Sequence, residues 1–132
     1  MSVNRLDHVN LRTARLKEMV AWYAEVLGLN SGWRPAFSFS GAWLYSGEHA
    51  IVHLVEVDKV PQVPDDLAIE HFALSAAGLA EFVAKAKRHG ENIRLVRVPS
   101  GGPIQVNLRD PDGNHIHVDF MPEEAEGLDL GV

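Results

Sequence analysis

The chain repeats itself, and that repeat constrains its fold more than any single motif. LDHVNLR (Leu6 to Arg12) lies over IEHFALS (Ile69 to Ser75) with His8 on His71, 63 positions apart. The same offset carries Leu16 onto Leu79, Glu18 onto Glu81, Val20 onto Val83 and Ala21 onto Ala84. Gly28 and Gly90 close the matched stretch. Two copies of one pattern imply two copies of one supersecondary unit. Residues 16–27 place apolar side chains at 16, 19, 20, 23, 26 and 27, the one-face spacing of an amphipathic helix. Residues 79–89 repeat it at 79, 82, 83 and 86. Lys85, Lys87, Arg88 and His89 then fall at the helix end that suits cations, and Gly28 and Gly90 are predicted C-caps.

Three strand-like stretches follow each helix. In the first half they lie near 36–40, 43–46 and 50–57, broken at Ser40-Gly41 and Ser46-Gly47. In the second they lie near 93–98, 104–109 and 114–121, broken by Pro99 to Pro103 and by Asp110-Pro111-Asp112-Gly113. Each half therefore reads strand, helix, three strands. Module one covers about 4–57 and module two about 67–121, joined by a proline-rich acidic linker at 58–66. The acidic segment within 122–132, Glu123-Glu124-Ala125-Glu126, reads as a solvated tail.

At 132 residues the two modules amount to one domain, long enough to bury a core. With 46% hydrophobic and 23% charged residues the composition is that of a soluble globular protein. No apolar run approaches the roughly 18 residues of a membrane span and no signal-peptide pattern opens the chain, so a cytoplasmic location is expected, with no membrane partner. There is no cysteine, so any metal must be held by His, Asp or Glu. A net charge of −6 argues against nucleic acid, which needs a basic patch, and leaves small molecules as the expected ligands.

The repeat also sorts the seven histidines. His8 and His71 fall in the first strand of each half, His53 and His117 in the last. In DPDGNHIHVDF (110–120), His115, His117 and Asp119 alternate with Ile116, Val118 and Phe120, so an apolar face covers the helix and the other carries two imidazoles and a carboxylate. His8 likewise shares a face with Asn10 and Arg12. His53 stands among Ile51, Val55 and Val57, surroundings usual for a hydrogen-bonded core imidazole. Imidazole is the commonest metal-binding side chain, and four on converging strands fill a tetrahedral site or most of an octahedral one. His49 and His89 are assigned to the surface, and His115 is left open.

LDHVNLR, AWYAEVLGL, IEHFALS and DPDGNHIHV together resemble the vicinal oxygen chelate superfamily, the glyoxalase, bleomycin-resistance and extradiol-dioxygenase group, over nearly all of residues 4–121. The resemblance implies an α+β fold: two βαβββ modules whose curled mixed sheets surround a metal site, often within a homodimer. It implies metal ligands at His8, His53, His71 and His117 for one divalent ion, Zn, Ni or Fe(II). Glyoxalase I-like members carry glutamate at the last-strand positions, where this chain has His53 and His117. Asp119 is then the candidate catalytic base. Arg12 stands where glyoxalase I-like chains hold a substrate carboxylate, and Asn10, Trp43 and Tyr45 complete a candidate substrate site. The implied function is Lewis-acid catalysis, of isomerase or lyase type, on a small substrate chelating through adjacent oxygens. An extradiol-type iron dioxygenase is the first alternative. A metal-free drug-binding protein is the second, with Trp33, Trp43 and Tyr45 as stacking surfaces.

Overall fold

In the computed structural model, which describes residues 1–62 and 64–129, the chain divides into two compact units, Met1–Gln62 and Val63–Val132. The first contains β1 (Val9–Thr13), α1 (Leu16–Leu27), β2 (Asn30–Ser31), β3 (Gly41–Ser46) and β4 (His49–Glu56). The second contains β5 (Phe72–Ser75), α2 (Leu79–Arg88), β6 (Arg94–Arg97), β7 (Ile104–Arg109) and β8 (His115–Phe120), followed by a 3-10 turn at Pro122–Ala125. Sheet order is β1-β4-β3-β2 in one unit and β5-β8-β7-β6 in the other. In both, the first strand runs parallel to the last and the remaining neighbours are antiparallel. The α+β reading as two βαβββ modules therefore holds, with two four-stranded mixed sheets that do not close.

Each helix forms because its apolar stripe has a sheet to cover. In α1, Met19, Tyr23 and Val26 are at most 1% exposed, and the helix packs on β2, β3 and β4, where Leu44, Val52 and Leu54 are buried. Gly28 ends it in the left-handed region (φ 70°), donating its N–H to Ala24 O at 3.1 Å. In α2, Leu79, Phe82, Val83 and Ala86 are buried, and the Phe82 ring lies 5.6 Å from that of Phe120. Each large apolar side chain so buried stabilises the unit by about 1.5–3 kcal/mol. On β8 the buried Ile116, Val118 and Phe120 leave His115, His117 and Asp119 to the opposite face, as the alternation predicts.

Three expectations need correction. Residues 36–40 are not a strand; the first module's second strand is the two-residue β2, five positions earlier at its nearest. The alternation at Phe37 and Phe39 serves a loop, where the two rings stack on each other (4.9 Å) and under the Arg34 guanidinium. Secondly, His8 and His71 stand one residue before their strands, which begin at Val9 and Phe72. Finally, the acidic tail is not merely solvated. Glu124 Oε1 accepts hydrogen bonds from Gly78 N–H (2.8 Å) and Leu79 N–H (2.9 Å), capping α2 from 45 residues away, while Ala125 is 4% exposed. Gly78 at the N-cap has no side chain to satisfy those donors, so a carboxylate from elsewhere does.

Candidate metal centre

The turn that delivers β8 is built by its own side chains. Asp110 Oδ1 accepts from the N–H groups of Asp112 (2.9 Å) and Asn114 (3.0 Å), its Oδ2 accepts from Asn114 Nδ2 (2.8 Å), and Gly113 takes the positive φ of 88°. Beyond it, register sets His117 between Ala73 of β5 and Asn107 of β7, and Asp119 between Ser75 and Gln105. The His71 and His117 rings are stacked, 3.9 Å between centroids and 13° between planes. The His115 ring lies 5.0 Å from that of His117 and 5.4 Å from that of His71. One nitrogen from each of the three falls within 4.8 Å of the others, the one such group among the described residues.

A carboxylate holds this cluster. Glu70 Oε1 takes His71 Nδ1 at 2.8 Å, and Glu70 Oε2 takes His115 Nδ1. The bond to His115, then that to His71, brings the Glu70 carboxyl down to about 2. His115 Nε2 meets Asn107 Oδ1 at 2.9 Å, and the buried Asn107 directs its Nδ2 to Arg94 O at 3.2 Å. Burial holds the His117 imidazole below its ordinary pKa, with the His71 and His115 charges adding to the effect and Asp119 opposing it. Asp119 Oδ1 is buried with no hydrogen-bond partner among the described residues. A buried carboxylate oxygen without a donor is costly. Beside His115 opens a cavity of about 390 Å³, lined also by Glu91, Asn92, Arg94, Asn107 and Arg109.

Unit one carries the repeat-related pair. His8 and His53 are stacked at 3.8 Å and 9°, and Trp43 covers the other face of His53 at 4.1 Å and 15°. Asp7 Oδ2 takes His8 Nδ1 at 2.7 Å, while His53 Nε2 is bonded to Ala50 O at 3.1 Å. Burial lowers the His53 pKa, and His8 lowers it further. Where unit two has His115 and Asn107, the equivalent positions of β4 and β3 hold Ile51 and Trp43. Asn10 and Arg12 are exposed on β1, Asn10 directly opposite His53. The Tyr45 hydroxyl donates to Trp33 O and so is already engaged. His49 and His89 are both exposed, at the start of β4 and the end of α2.

Sequence reading thus found both stacked pairs, but it left His115 open and passed over Asp7, Glu70 and Asn107. The signal for the first two was present: each acid immediately precedes a repeat histidine.

The donor set fits a borderline transition metal ion. Imidazole nitrogens suit Zn, Ni or Fe(II), and the lowered pKa of His117 keeps the neutral, ligating form available.

The sequence profile of the Glyoxalase/Bleomycin resistance protein/Dioxygenase superfamily matches residues 5–118. The chain is 30% identical to the lactoylglutathione lyase of Salmonella typhimurium over 132 residues, covering 94% of this chain and 98% of that protein. Among solved structures, a glyoxylase/bleomycin resistance protein/dioxygenase domain from Frankia sp. superposes with a TM-score of 0.76 at 17% identity, covering 91% of this chain and 99% of that one. The lactoylglutathione lyase of Agrobacterium tumefaciens superposes with a TM-score of 0.68 at 18% identity, covering 91% and 96%.

Proposed function

This chain belongs to the Glyoxalase/Bleomycin resistance protein/Dioxygenase superfamily, and from that membership we propose that it is a metal-dependent enzyme acting on a small molecule with two adjacent oxygens. The observation that carries the reading is the stacked His71–His117 pair with its carboxylate support. We propose His71 and His117 as metal ligands in unit two and their counterparts His8 and His53 in unit one. A divalent ion bound there supplies Lewis acidity toward the substrate oxygens.

The chain's own groups do the rest. Asp119 accepts a proton from the carbon beside a substrate carbonyl: its Oδ1 is buried, without a donor among the described residues, and two residues from His117 on the same strand face. In unit one, Arg12 and Asn10 present a guanidinium and an amide to solvent on the His8 side of β1, suited to an anionic or oxygen-rich substrate group. Trp43 and Tyr45 give that region an apolar wall. Proton movement at carbon makes the reaction an isomerisation or lyase-type elimination. The similarity to a lactoylglutathione lyase supports that choice.

A dioxygenase is the second reading, favoured by imidazole in place of a carboxylate at His117 beside His71, a donor set that suits Fe(II) with open positions. We further propose a homodimer working in the cytoplasm.

Elemental analysis of tag-free protein tests metal dependence. Solvent-deuterium incorporation into a panel of 2-hydroxy and 2-oxo carbonyl compounds tests the proton transfer. Metal-dependent exchange that disappears in Asp119→Asn is expected. Oxygen uptake with a catechol instead of exchange supports the dioxygenase. Protein with no bound metal and no metal affinity removes both readings in favour of a drug-binding role.

A further inference from the structure

We propose that Asp7 and Glu70 are positioning residues that fix the tautomers of His8 and His71, and that His115 anchors Glu70 rather than serving as a ligand. The inference rests on the metal-binding reading of His8 and His71. A neutral imidazole has one N–H and one lone pair. A carboxylate at Nδ1 draws the N–H to that nitrogen and leaves the lone pair on Nε2. Both halves make this contact from the residue immediately before the histidine, at 2.7 Å for Asp7–His8 and 2.8 Å for Glu70–His71. Consecutive side chains of a strand point to opposite faces and do not meet. His8 and His71 stand one residue outside the ladder, and that is what lets the neighbouring carboxylate reach. The departure from strand geometry therefore recurs wherever the contact is made.

Unit two adds a second layer. The free oxygen of Glu70 is held by His115 Nδ1, and His115 Nε2 is held by Asn107, whose amide is oriented by Arg94 O. Both nitrogens of His115 are engaged within the protein, Nδ1 by Glu70 and Nε2 by Asn107, so neither is directed at an ion. Proximity alone groups His115 with His71 and His117; its hydrogen bonds place it behind Glu70. Unit one has Ile51 at the equivalent position, so the Asp7 carboxylate lacks this anchor.

The test uses the full chain and Zn²⁺ alone as probe. Two-bond ¹H–¹⁵N correlation spectra of the metal-free protein are expected to show His8 and His71 as Nδ1–H tautomers. Asp7→Ala should alter His8 and leave His71 as it is, and Glu70→Ala should alter His71, together with its other partner His115, and leave His8 as it is. Glu70→Gln should act partially, since its amide oxygen accepts one N–H but its NH₂ cannot accept the other. Zn²⁺ affinity of Glu70→Ala should fall about 10–100-fold. His115→Gln should weaken Zn²⁺ binding while keeping wild-type stoichiometry. Unchanged tautomers in Asp7→Ala and Glu70→Ala overturn the positioning role. Loss of the ion in His115→Gln as complete as in His71→Ala overturns the anchoring role. If the wild-type protein binds no Zn²⁺, the metal-binding reading fails, while the tautomer spectra still decide the positioning role.

Discussion

His117 is 9% exposed, pressed against the His71 ring, and it titrates below the ordinary histidine range because burial penalises the cation. The unfolded chain takes up a proton near pH 6.5, whereas folded His117 does so only at lower pH. Between those values the unfolded state binds more protons, so metal-free stability falls as pH drops below about 6.5. One such group contributes a slope of at most about 1.4 kcal/mol per pH unit. Denaturant midpoints across pH 5–8 should show this loss, and His117→Gln should flatten it; an unchanged slope in the variant assigns the effect elsewhere. The same residue scale separates the histidines by role. His71→Ala is expected to lose bound metal on elemental analysis, and His89→Ala, exposed at the end of α2, to keep the wild-type content. The repeat made the ligand candidates legible because equivalent positions recur. It hid His115, whose counterpart is Ile51, and it hid Asn107, whose counterpart is Trp43. Those residues work by hydrogen bonds between strands, which a linear pattern does not display.

At the scale of elements, helices were readable because their apolar stripes must match a sheet: 16–27 became Leu16–Leu27, and 79–89 became Leu79–Arg88, one residue shorter. The first sheet was less readable. Phe37 and Phe39 satisfy strand periodicity while stacking in a loop, and β3 instead begins at Gly41, the start of a close approach. A Cβ on Gly41 would meet Leu54 O at 2.1 Å, against backbone that cannot swing aside. Gly41→Ala should therefore lower stability by about 2 kcal/mol or more, read as a shifted urea midpoint. The capping of α2 by Glu124 was invisible in sequence because the contact spans 45 residues. Glu124→Ala leaves two N–H donors unsatisfied and removes a negative charge from the helix start. The expected cost is about 0.5–2 kcal/mol. In a chain of this size that is a drop in Tm of roughly 2–8 °C by calorimetry, and an unchanged Tm would show that water replaces the carboxylate without loss.

For the whole molecule, the legible part was whatever is written twice. Helix placement and the two stacked histidine pairs descend from the offset between His8 and His71, and both sheets show the same strand order, as a repeat implies. The illegible part is what each copy does alone: the Glu70–His115–Asn107 chain in one half, the Trp43 cover over His53 in the other. Divergence of this kind leaves a hydrogen-bonded histidine network in one half and exposed aromatic surface in the other. Trp33, Phe37 and Phe39 remain 72%, 44% and 45% exposed, all in the first half. Open sheets add to the exposed surface, since β1, β2, β5 and β6 are edge strands with unpaired backbone groups. Exposed edges and large apolar side chains favour association over a free monomer. Sedimentation velocity at micromolar concentration should therefore give a single species with the mass of two 14.6 kDa chains. The distribution should stay the same in His71→Ala, because sheet edges and not the metal drive association. A dimer that falls apart in His71→Ala or on chelation would instead make the ion a part of the interface, and a stable monomer would remove the dimer altogether.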